Sequence, residues 1–215
     1  RNDEVMNIKS GDRLPVEKAV SDHYSNSDLL TNIYQALPAL GLQQDSLTPS
    51  ALSAVDEFHI GGSEATKILA EKLSLKASDK VLDIGCGIGG PARFIANMIG
   101  CNVRGIDLTA DYVKVGNELN RVVGLEEQVK LTQGSALEMA FSDVAFDVCY
   151  MIHVGMNIKN KSKLMQEAYR VTKGGGTFGV YDVMLTDDKE LLYPLPWAET
   201  YESNAISSVA EYKSS

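Results

Sequence analysis

The segment VLDIGCGIGGP, residues 81–91, constrains the fold of this chain more than any other part of the sequence. Its first four residues are typical of a buried strand, and the four glycines that follow lead to Pro91, a residue favoured in the first turn of a helix. A strand that passes through a glycine-rich turn into a helix brings backbone N–H groups close to a ligand, because no side chains intervene. The segment therefore predicts a small-molecule site at the end of a strand.

Segments with strand and helix character alternate through the rest of the chain. The predicted strands are 80–84, 102–108, 128–133, 146–151 and 176–183, and the predicted helices are 91–99, 110–123 and 160–172. This alternation indicates an α/β fold, a Rossmann-like doubly wound, mainly parallel sheet with helices on both faces. In such folds the carboxyl ends of the strands share one edge, where ligands bind.

The N-terminal part of the chain differs from this pattern. Apolar residues recur at helical spacing after Ser27, a short helix is predicted at 49–55, and Ser63 is a candidate N-cap for a further helix. We predict that residues 1–62 form an N-terminal helical arm and lid, packed on a main domain that comprises residues 63–215.

Composition and charge argue against several function classes. The formal net charge of −9 and the pI near 4.8 disfavour nucleic acid or an anionic membrane as the main partner, because both are negatively charged. No stretch approaches the roughly 20 apolar residues that cross a bilayer, and no signal peptide precedes the acidic start, so we expect a cytoplasmic protein without membrane insertion. The three cysteines predict no disulfide framework, and no cluster of His, Cys, Asp and Glu has metal-ligand spacing.

Acidic residues around the glycine turn narrow the choice of ligand. The turn also fits the dinucleotide fingerprint, but Gly85, Gly87 and Gly89 give a tighter spacing. Asp83 lies inside the strand just before the turn, where a carboxylate repels a pyrophosphate but favours an ammonium group. Asp107 ends the second strand, where a carboxylate accepts hydrogen bonds from both hydroxyls of a ribose. These features together favour a nucleoside with a zwitterionic amino-acid tail.

Five segments resemble, in this order, the successive motifs of class I S-adenosylmethionine-dependent methyltransferases: VLDIGCGIGG, GIDLT, QGSALEM, FDVCYMIHV and RVTKGGGTFGVYDV. The resemblance covers about residues 63–184. The flanking segments VDEFHIGG (55–62), IHVGMNIKNK (152–161) and YPLPWA (193–198) are similar to those of a small-molecule branch that includes sarcosine and dimethylglycine N-methyltransferase-like enzymes. The resemblance implies an enzyme that uses S-adenosylmethionine, releases S-adenosylhomocysteine and methylates a small-molecule acceptor.

The resemblance also implies which residues contact the cofactor. They are Asp83, Gly85, Gly87 and Gly89 at its methionine end, Asp107 at the ribose hydroxyls, and Leu108, Ser135, Ala136 and Leu137 around the adenine. Many relatives have an aspartate at the position of Ser135, and the serine hydroxyl is expected to accept the same hydrogen bond. Related enzymes often close a tyrosine-bearing N-terminal segment over the cofactor, and Tyr24 is the candidate for that contact, with a structural role as the alternative.

Relatives of this family continue through another helix and an antiparallel strand pair that completes a seven-stranded sheet. This chain stops at Ser215, within what resembles that helix. We therefore expect the C-terminal strands of the usual sheet to be missing, the methyltransferase domain to be incomplete at its C-terminus, and strand 176–183 to have an unpaired edge.

Methyl transfer requires alignment of donor and acceptor and exclusion of water, with a base only where the acceptor must lose a proton. His153 follows strand 146–151 at the ligand-binding edge and is the candidate catalytic residue. A packed histidine that transfers no proton is the alternative. The candidate substrate-binding residues are His59, Met156, Asn157, Asp182 and Trp197. The Trp197 indole can attract a methylammonium group, an interaction worth ~0.5–2 kcal/mol, and for His59, Asp182 and Trp197 a purely structural role is the alternative.

The acceptor is left open between two chemical classes. The first is an amine such as sarcosine or dimethylglycine, and the second is a carbon or oxygen of a quinone-like or other natural-product molecule. Two further functions are a non-catalytic module that keeps the cofactor-binding fold and an NAD-dependent oxidoreductase, which Asp83 and the later motifs disfavour. The sequence does not predict the oligomeric state.

Overall fold

The computed structural model describes residues 29–57, 59–186 and 191–215. The helices in these ranges are α1 (Leu29–Ala36), α2 (Pro49–Asp56), α3 (Gly62–Lys72), α4 (Gly90–Ile99), α5 (Ala110–Val122), α6 (Lys161–Val171) and α7 (Val209–Ser214). The strands are β1 (Lys80–Ile84), β2 (Asn102–Asp107), β3 (Val129–Gln133), β4 (Phe146–Ile152), β5 (Thr172–Tyr181), β6 (Met184–Leu185) and β7 (Ser207–Ser208). Short 3₁₀ helices occur at Leu37–Leu40, Gln44–Ser46, Gly155–Asn157 and Tyr201–Ser203.

Strands β1 to β5 form one parallel sheet in the order β3-β2-β1-β4-β5. The chain first builds the sheet from β1 towards β3 and then returns to the other side of β1. The crevice at this change of direction lies between β1 and β4, where doubly wound sheets bind ligands. The predicted Rossmann-like fold is confirmed, with five strands in the main sheet of the described residues.

Residues that alternate along β1 bury opposite faces of the sheet, because successive side chains of a strand point in opposite directions. Val81 belongs to one apolar core together with Ile95 of α4, whereas Leu82 belongs to a second core together with Leu164 of α6. Helices therefore cover both faces. The side chains of Val81, Leu82 and Ile84 have no solvent exposure, which explains the continuous apolar run in the sequence.

Strand β5 differs from its predicted bounds at both ends. It begins at Thr172 rather than at 176, and its pairing with β4 changes register between Phe146 and Val148. It ends at Tyr181, so Asp182 follows the strand instead of belonging to it. Beyond Asp182, β6 pairs in parallel with β7 and joins this edge of the molecule to α7.

The N-terminal helices pack on α4 and α5. Ile33 of α1 and Leu52 of α2 share an apolar cluster with Val115 and Leu119 of α5. Helix α3 begins after Gly61, a left-handed residue with φ of 87°, so the predicted N-cap Ser63 lies inside that helix. The division of the chain into a helical arm (1–62) and a main domain remains a prediction.

A buried ion pair fixes α2 against α4. Arg93 is 1% exposed and donates two hydrogen bonds to Asp56 Oδ2, at 3.1 and 2.7 Å. Its remaining nitrogen donates to Asn120 Oδ1 at 2.8 Å and to the Gly116 carbonyl at 3.2 Å. A side chain at Gly90 would overlap the Asp56 carbonyl, so the backbones of the two helices lie in direct contact.

Among the residues described, no helix combines the length and apolar character that a bilayer crossing requires.

Candidate active site

A cavity of about 570 Å³ lies at the carboxyl edge of the sheet. The ends of β1, β2 and β4 form its floor, and residues from the β4–α6 connection and the C-terminal segment form one wall. This volume is in the range of sites that hold a small-molecule ligand. Asp83, Gly85, Gly87, Asp107 and Leu108 line the cavity, as does His153 from the far side of the crevice.

The glycine turn after β1 is held by hydrogen bonds within the protein. The N–H groups of Gly85 and Cys86 both donate to the Ile106 carbonyl, at 2.8 and 3.1 Å. The Gly87 N–H donates to Asp107 Oδ2 at 2.8 Å, and the Gly89 N–H donates to the Cys86 carbonyl at 2.8 Å. The expectation that the turn presents its N–H groups to a ligand is therefore wrong for these four residues. A pyrophosphate cradle needs free donors, so this arrangement disfavours a dinucleotide.

Two glycines of the turn face different surroundings. Gly85 has φ of 74°, and a side chain there would overlap Val154 across the crevice. Gly87 has φ of 55° and also lines the cavity, but no protein atom lies within 4 Å of the position of a side-chain carbon. A side chain at Gly87 would therefore occupy ligand space. The third, Gly89, is the N-cap of α4 and is packed against Leu131 and Arg93, away from the residues that line the cavity.

Asp107 is ordered by the backbone around it. Its Oδ2 accepts from Gly87 and its Oδ1 accepts from the Thr109 N–H at 2.9 Å. Each carboxylate oxygen can accept a second hydrogen bond, and the Thr109 hydroxyl and the Leu108 N–H also interact with the group, so a ligand hydroxyl would share these acceptors with them. Burial raises the pKa of this carboxyl above its ordinary value, while the backbone hydrogen bonds act in the opposite direction.

Asp83 is 2% exposed and forms a buried pair with Tyr150, its neighbour in β4. The Tyr150 hydroxyl donates to Asp83 Oδ2 at 2.9 Å. The pKa of Asp83 is raised to about 8, chiefly by burial and also by the negative charges of Asp107 and Glu57, while the Tyr150 hydrogen bond acts in the opposite direction. A cation bound in the cavity would favour the ionised form of this carboxyl.

His153 follows β4 in an unusual backbone conformation. Its φ is 55°, a left-handed value that is uncommon for a residue with a side chain and is found disproportionately at functional sites. The His153 N–H donates to the Tyr181 carbonyl at 2.8 Å, and its ring stacks on the Tyr181 ring with centroids 5.4 Å apart. Burial lowers the pKa of His153 below 6.5, so the imidazole is neutral at pH 7 and can accept a proton.

His59 lies opposite His153 at the mouth of the cavity, with ring centroids 5.9 Å apart. His59 Nε2 is 3.0 Å from the Gly62 carbonyl oxygen, and because a carbonyl only accepts, we assign the proton to this nitrogen. The same nitrogen lies 3.4 Å from Glu57 Oε2, which also accepts from the Thr66 hydroxyl at 2.7 Å. Burial raises the pKa of Glu57 to about 7 and lowers that of His59.

The wall beyond His153 is mainly apolar. Met156 is buried, Asn157 is half-buried, and both line the cavity. Trp197 lines the same wall and donates from Nε1 to Asn204 Oδ1 at 3.0 Å. Asp182 was predicted to contact the substrate, but it is not among the residues that line the cavity, and its carboxylate accepts from the Tyr212 hydroxyl.

Only some of the residues predicted to surround the adenine line the cavity. Leu108, Ala136 and Leu137 line it, whereas Ser135 does not, and the Ser135 hydroxyl accepts from the Leu137 N–H at 3.0 Å. Tyr24 lies outside the described residues.

Sequence reasoning missed several residues at the cavity. Tyr112 lines the cavity from the first turn of α5, five positions after Asp107. Its position in the first turn of the helix that follows β2 could have indicated that it lies near the ligand. Asp56 and Val154 also line the cavity; they lie in the motifs VDEFHIGG and FDVCYMIHV, but their contact with the cavity depends on the packing of distant segments. No group of three or more His, Cys, Asp or Glu side chains within the described part of the chain could hold a metal ion.

Comparison with known proteins shows what this arrangement is similar to. Residues 82–180 match the model of a methyltransferase domain. The sterol 24-C-methyltransferase of Yarrowia lipolytica is 38% identical over 120 residues, which cover 56% of this chain and 32% of that protein. The chain thus spans about a third of the length of the curated sterol methyltransferases it matches.

Two solved structures show the same fold. A protein from Galdieria sulphuraria assigned as a sarcosine dimethylglycine methyltransferase is 29% identical, with a TM-score of 0.54 over 55% of this chain and 46% of that one. The geranyl diphosphate C-methyltransferase from Streptomyces coelicolor is 19% identical, with a TM-score of 0.67 over 93% of this chain and 77% of that one. The second likeness concerns the fold alone.

Proposed function

We propose that this chain is a class I S-adenosylmethionine-dependent methyltransferase, which binds S-adenosylmethionine and transfers its methyl group to a small-molecule acceptor. The match of residues 82–180 to a methyltransferase domain supports this proposal. The observation that carries the proposal is that Asp83, Gly87, Asp107 and His153 converge on one cavity of about 570 Å³. The cofactor supplies an electrophilic methyl group on a positively charged sulfur. The protein must align donor and acceptor, exclude water and, where the acceptor loses a proton, provide a base.

The donor side of the cavity fits this cofactor. Asp107, ordered by the N–H groups of Gly87 and Thr109, lies at the end of β2, where a carboxylate can accept hydrogen bonds from ribose hydroxyls. The open space beside Gly87 accommodates the chain between ribose and amino acid. Asp83 supplies a buried negative charge for the ammonium or sulfonium group, and that interaction offsets the cost of ionising a carboxyl whose pKa is raised to about 8.

The acceptor side favours a molecule that has an apolar body and loses a proton on methylation. Its wall consists largely of apolar side chains, among them Ile152, Met156 and Trp197. On this wall, His153 has a neutral imidazole, and its backbone N–H is held by a hydrogen bond to the Tyr181 carbonyl. We assign His153 the role of general base towards a hydroxyl or an acidic C–H group, while Asn157 orients the acceptor. This corresponds to a carbon or oxygen acceptor of the quinone-like or natural-product kind.

An amine such as sarcosine or dimethylglycine is the second candidate acceptor. The Trp197 indole on the cavity wall favours it, since an aromatic face attracts a methylammonium group. With an amine, His153 would keep the nitrogen lone pair free by accepting its proton.

Binding and turnover test this proposal in sequence. Titration calorimetry should show saturable binding of S-adenosylhomocysteine and no binding of NAD. The protein should then methylate at least one member of a panel that pairs phenols and enolisable diketones with sarcosine and dimethylglycine. Binding of NAD alone would make the chain an oxidoreductase, and absence of binding to either compound by folded protein would refute the proposal. Binding of S-adenosylhomocysteine without any turnover on a broad panel would favour a non-catalytic module.

A further inference from the structure

Lys161, the first residue of α6, is buried although nothing in the proposed chemistry uses it. It is 7% exposed, and burial of its ammonium group lowers its pKa. All three donors of the ammonium group find backbone acceptors: Nζ donates to the carbonyls of Gly155 at 2.7 Å, Ile158 at 2.6 Å and Ala205 at 2.6 Å. A buried charge with a complete set of partners is costly to replace and has a defined position.

These three carbonyls belong to two segments that are far apart in the sequence. Gly155 begins the 3₁₀ helix after β4 and Ile158 follows it, and the residues between them, Met156 and Asn157, line the cavity. Ala205 lies in the C-terminal segment, and its N–H donates to the Met156 carbonyl at 2.8 Å. Lys161 therefore joins the turn that carries Met156 and Asn157 to the segment around Ala205.

The same C-terminal segment also contacts Trp197. Asn204, next to Ala205, accepts from Trp197 Nε1 at 3.0 Å and donates to the Tyr193 hydroxyl at 2.9 Å. The segment is thereby connected with the Pro196–Trp197 part of the cavity wall. On its other side the Lys161 ammonium lies 5.4 Å from the centre of the Tyr212 ring, and the Tyr212 hydroxyl donates to Asp182.

We propose that Lys161 is a positioning residue that assembles the acceptor wall by holding the 155–158 turn and the 193–206 segment together. Lys161 touches neither the donor side nor the reacting atoms, so its effect on acceptor binding is separable from cofactor binding. The proposal rests on the proposed function for the meaning of that wall, but the contacts themselves can be tested without any acceptor.

Trp197 provides a direct reporter, because it is the only tryptophan of the chain. We compare wild type, Lys161→Met and Lys163→Met by tryptophan emission and acrylamide quenching. Lys163 is the matched control, since its side chain is 45% exposed and its ion-pair partner Glu167 lies on the same helix. In Lys161→Met the emission should shift to longer wavelength, and quenching should increase towards the value of the unfolded chain. In Lys163→Met both should match wild type.

Calorimetry with S-adenosylhomocysteine separates a local effect from a general one. Its affinity should be the same in Lys161→Met and wild type, whereas KM for an acceptor found in the panel should rise at least about tenfold, the effect of losing a hydrogen bond to a charged group. Unchanged Trp197 quenching in Lys161→Met would overturn the proposal. So would a loss of S-adenosylhomocysteine affinity as large as the loss of acceptor affinity.

Two further outcomes keep the test decisive. Should Lys161→Met fail to fold, Lys161→Gln, which keeps two N–H donors, is measured against the same control and should show an intermediate increase in quenching. If wild type itself binds no S-adenosylhomocysteine, the proposed function fails, and the quenching comparison still decides whether Lys161 holds the segment that contains Trp197.

Discussion

The donor and acceptor sides of the cavity are built in different ways. The donor side comes mainly from one stretch of chain, residues 83–109, whose groups sit at the ends of two hydrogen-bonded strands, β1 and β2, with Ala136 and Leu137 added from the segment after β3. The acceptor side combines the turn after β4, the N-terminal histidine His59 and a segment around Trp197. Strand pairing positions the first side, whereas side chains such as Lys161 and Asn204 must position the second.

Because of this difference, we expect the residues of the two sides to differ in how firmly they are positioned and in how readily they tolerate substitution. Asp83 and Asp107 are located by the register of the parallel sheet, which also carries the core of the domain. The acceptor wall depends on a few hydrogen bonds between loops, and loops tolerate change more readily than sheet interiors. A family can therefore retain one methyl donor while its acceptors vary.

The largest effect is expected on the donor side, from Gly85→Val. A β-branched residue is strained at φ of 74°, and its side chain would overlap Val154 across the crevice. Binding of S-adenosylhomocysteine should fall below detection by calorimetry. Gly124→Ala is the control, because Gly124 has φ of 70° but open space around it, and it should cost only about 1 kcal/mol of stability with binding retained. Normal affinity in folded Gly85→Val would contradict the assignment of this turn.

On the acceptor side, His153→Gln tests whether a base is used. Loss of a general base should reduce kcat by about 10²–10⁴-fold. The pKa of His153 is lowered from 6.5, so in wild type kcat/KM should fall only as the pH drops below 6.5 and the imidazole becomes protonated. The pH–rate profile of His59→Gln should keep this acidic limb. An acidic limb that persists in His153→Gln would assign the proton transfer to another group.

The buried ion pair between Arg93 of α4 and Asp56 of α2 holds the N-terminal helix α2 next to the donor side. Arg93→Met would leave Asp56 buried without its partner, and the free energy of unfolding should fall by about 3–5 kcal/mol in urea denaturation. Arg121→Met, which breaks an exposed pair with Glu118, should leave it almost unchanged, because solvent screens an exposed ion pair. Similar losses in both variants would mean that the pair contributes little to holding α2.

The pH dependence of stability tests the raised pKa of Asp83 on the donor side. The pKa of Asp83 is raised in the folded protein from 3.8 to about 8, so the folded state binds more protons than the unfolded state between these values. The stabilising contribution of the protonated carboxyl is complete below 3.8 and is lost as the pH rises through about 8. Thermal unfolding of wild type minus Asp83→Asn should show this decline, and a flat difference curve would refute the raised pKa.

The fold and the donor side could be predicted because their signals are local. A buried strand, glycines at positions that require positive φ, and an acid at the end of the next strand lie within about thirty residues, and the parallel sheet follows from alternation. The acceptor side gave weaker signals. Asp182 was predicted to lie within strand 176–183 and to contact the substrate, but it follows β5, and the sequence did not show that its carboxylate would accept a hydrogen bond from Tyr212.

The sequence by itself determined the alternation of strands and helices, the glycine turn and the two acids, since backbone preferences and hydrophobic periodicity act over a few residues. Tertiary structure alone decided that Tyr150 would pair with Asp83, that Val154 would close on Gly85, and that Lys161 would reach Ala205. Those contacts join residues that are distant in the chain. They depend on which segments pack together, a choice made by the burial of the whole core and not by any short pattern.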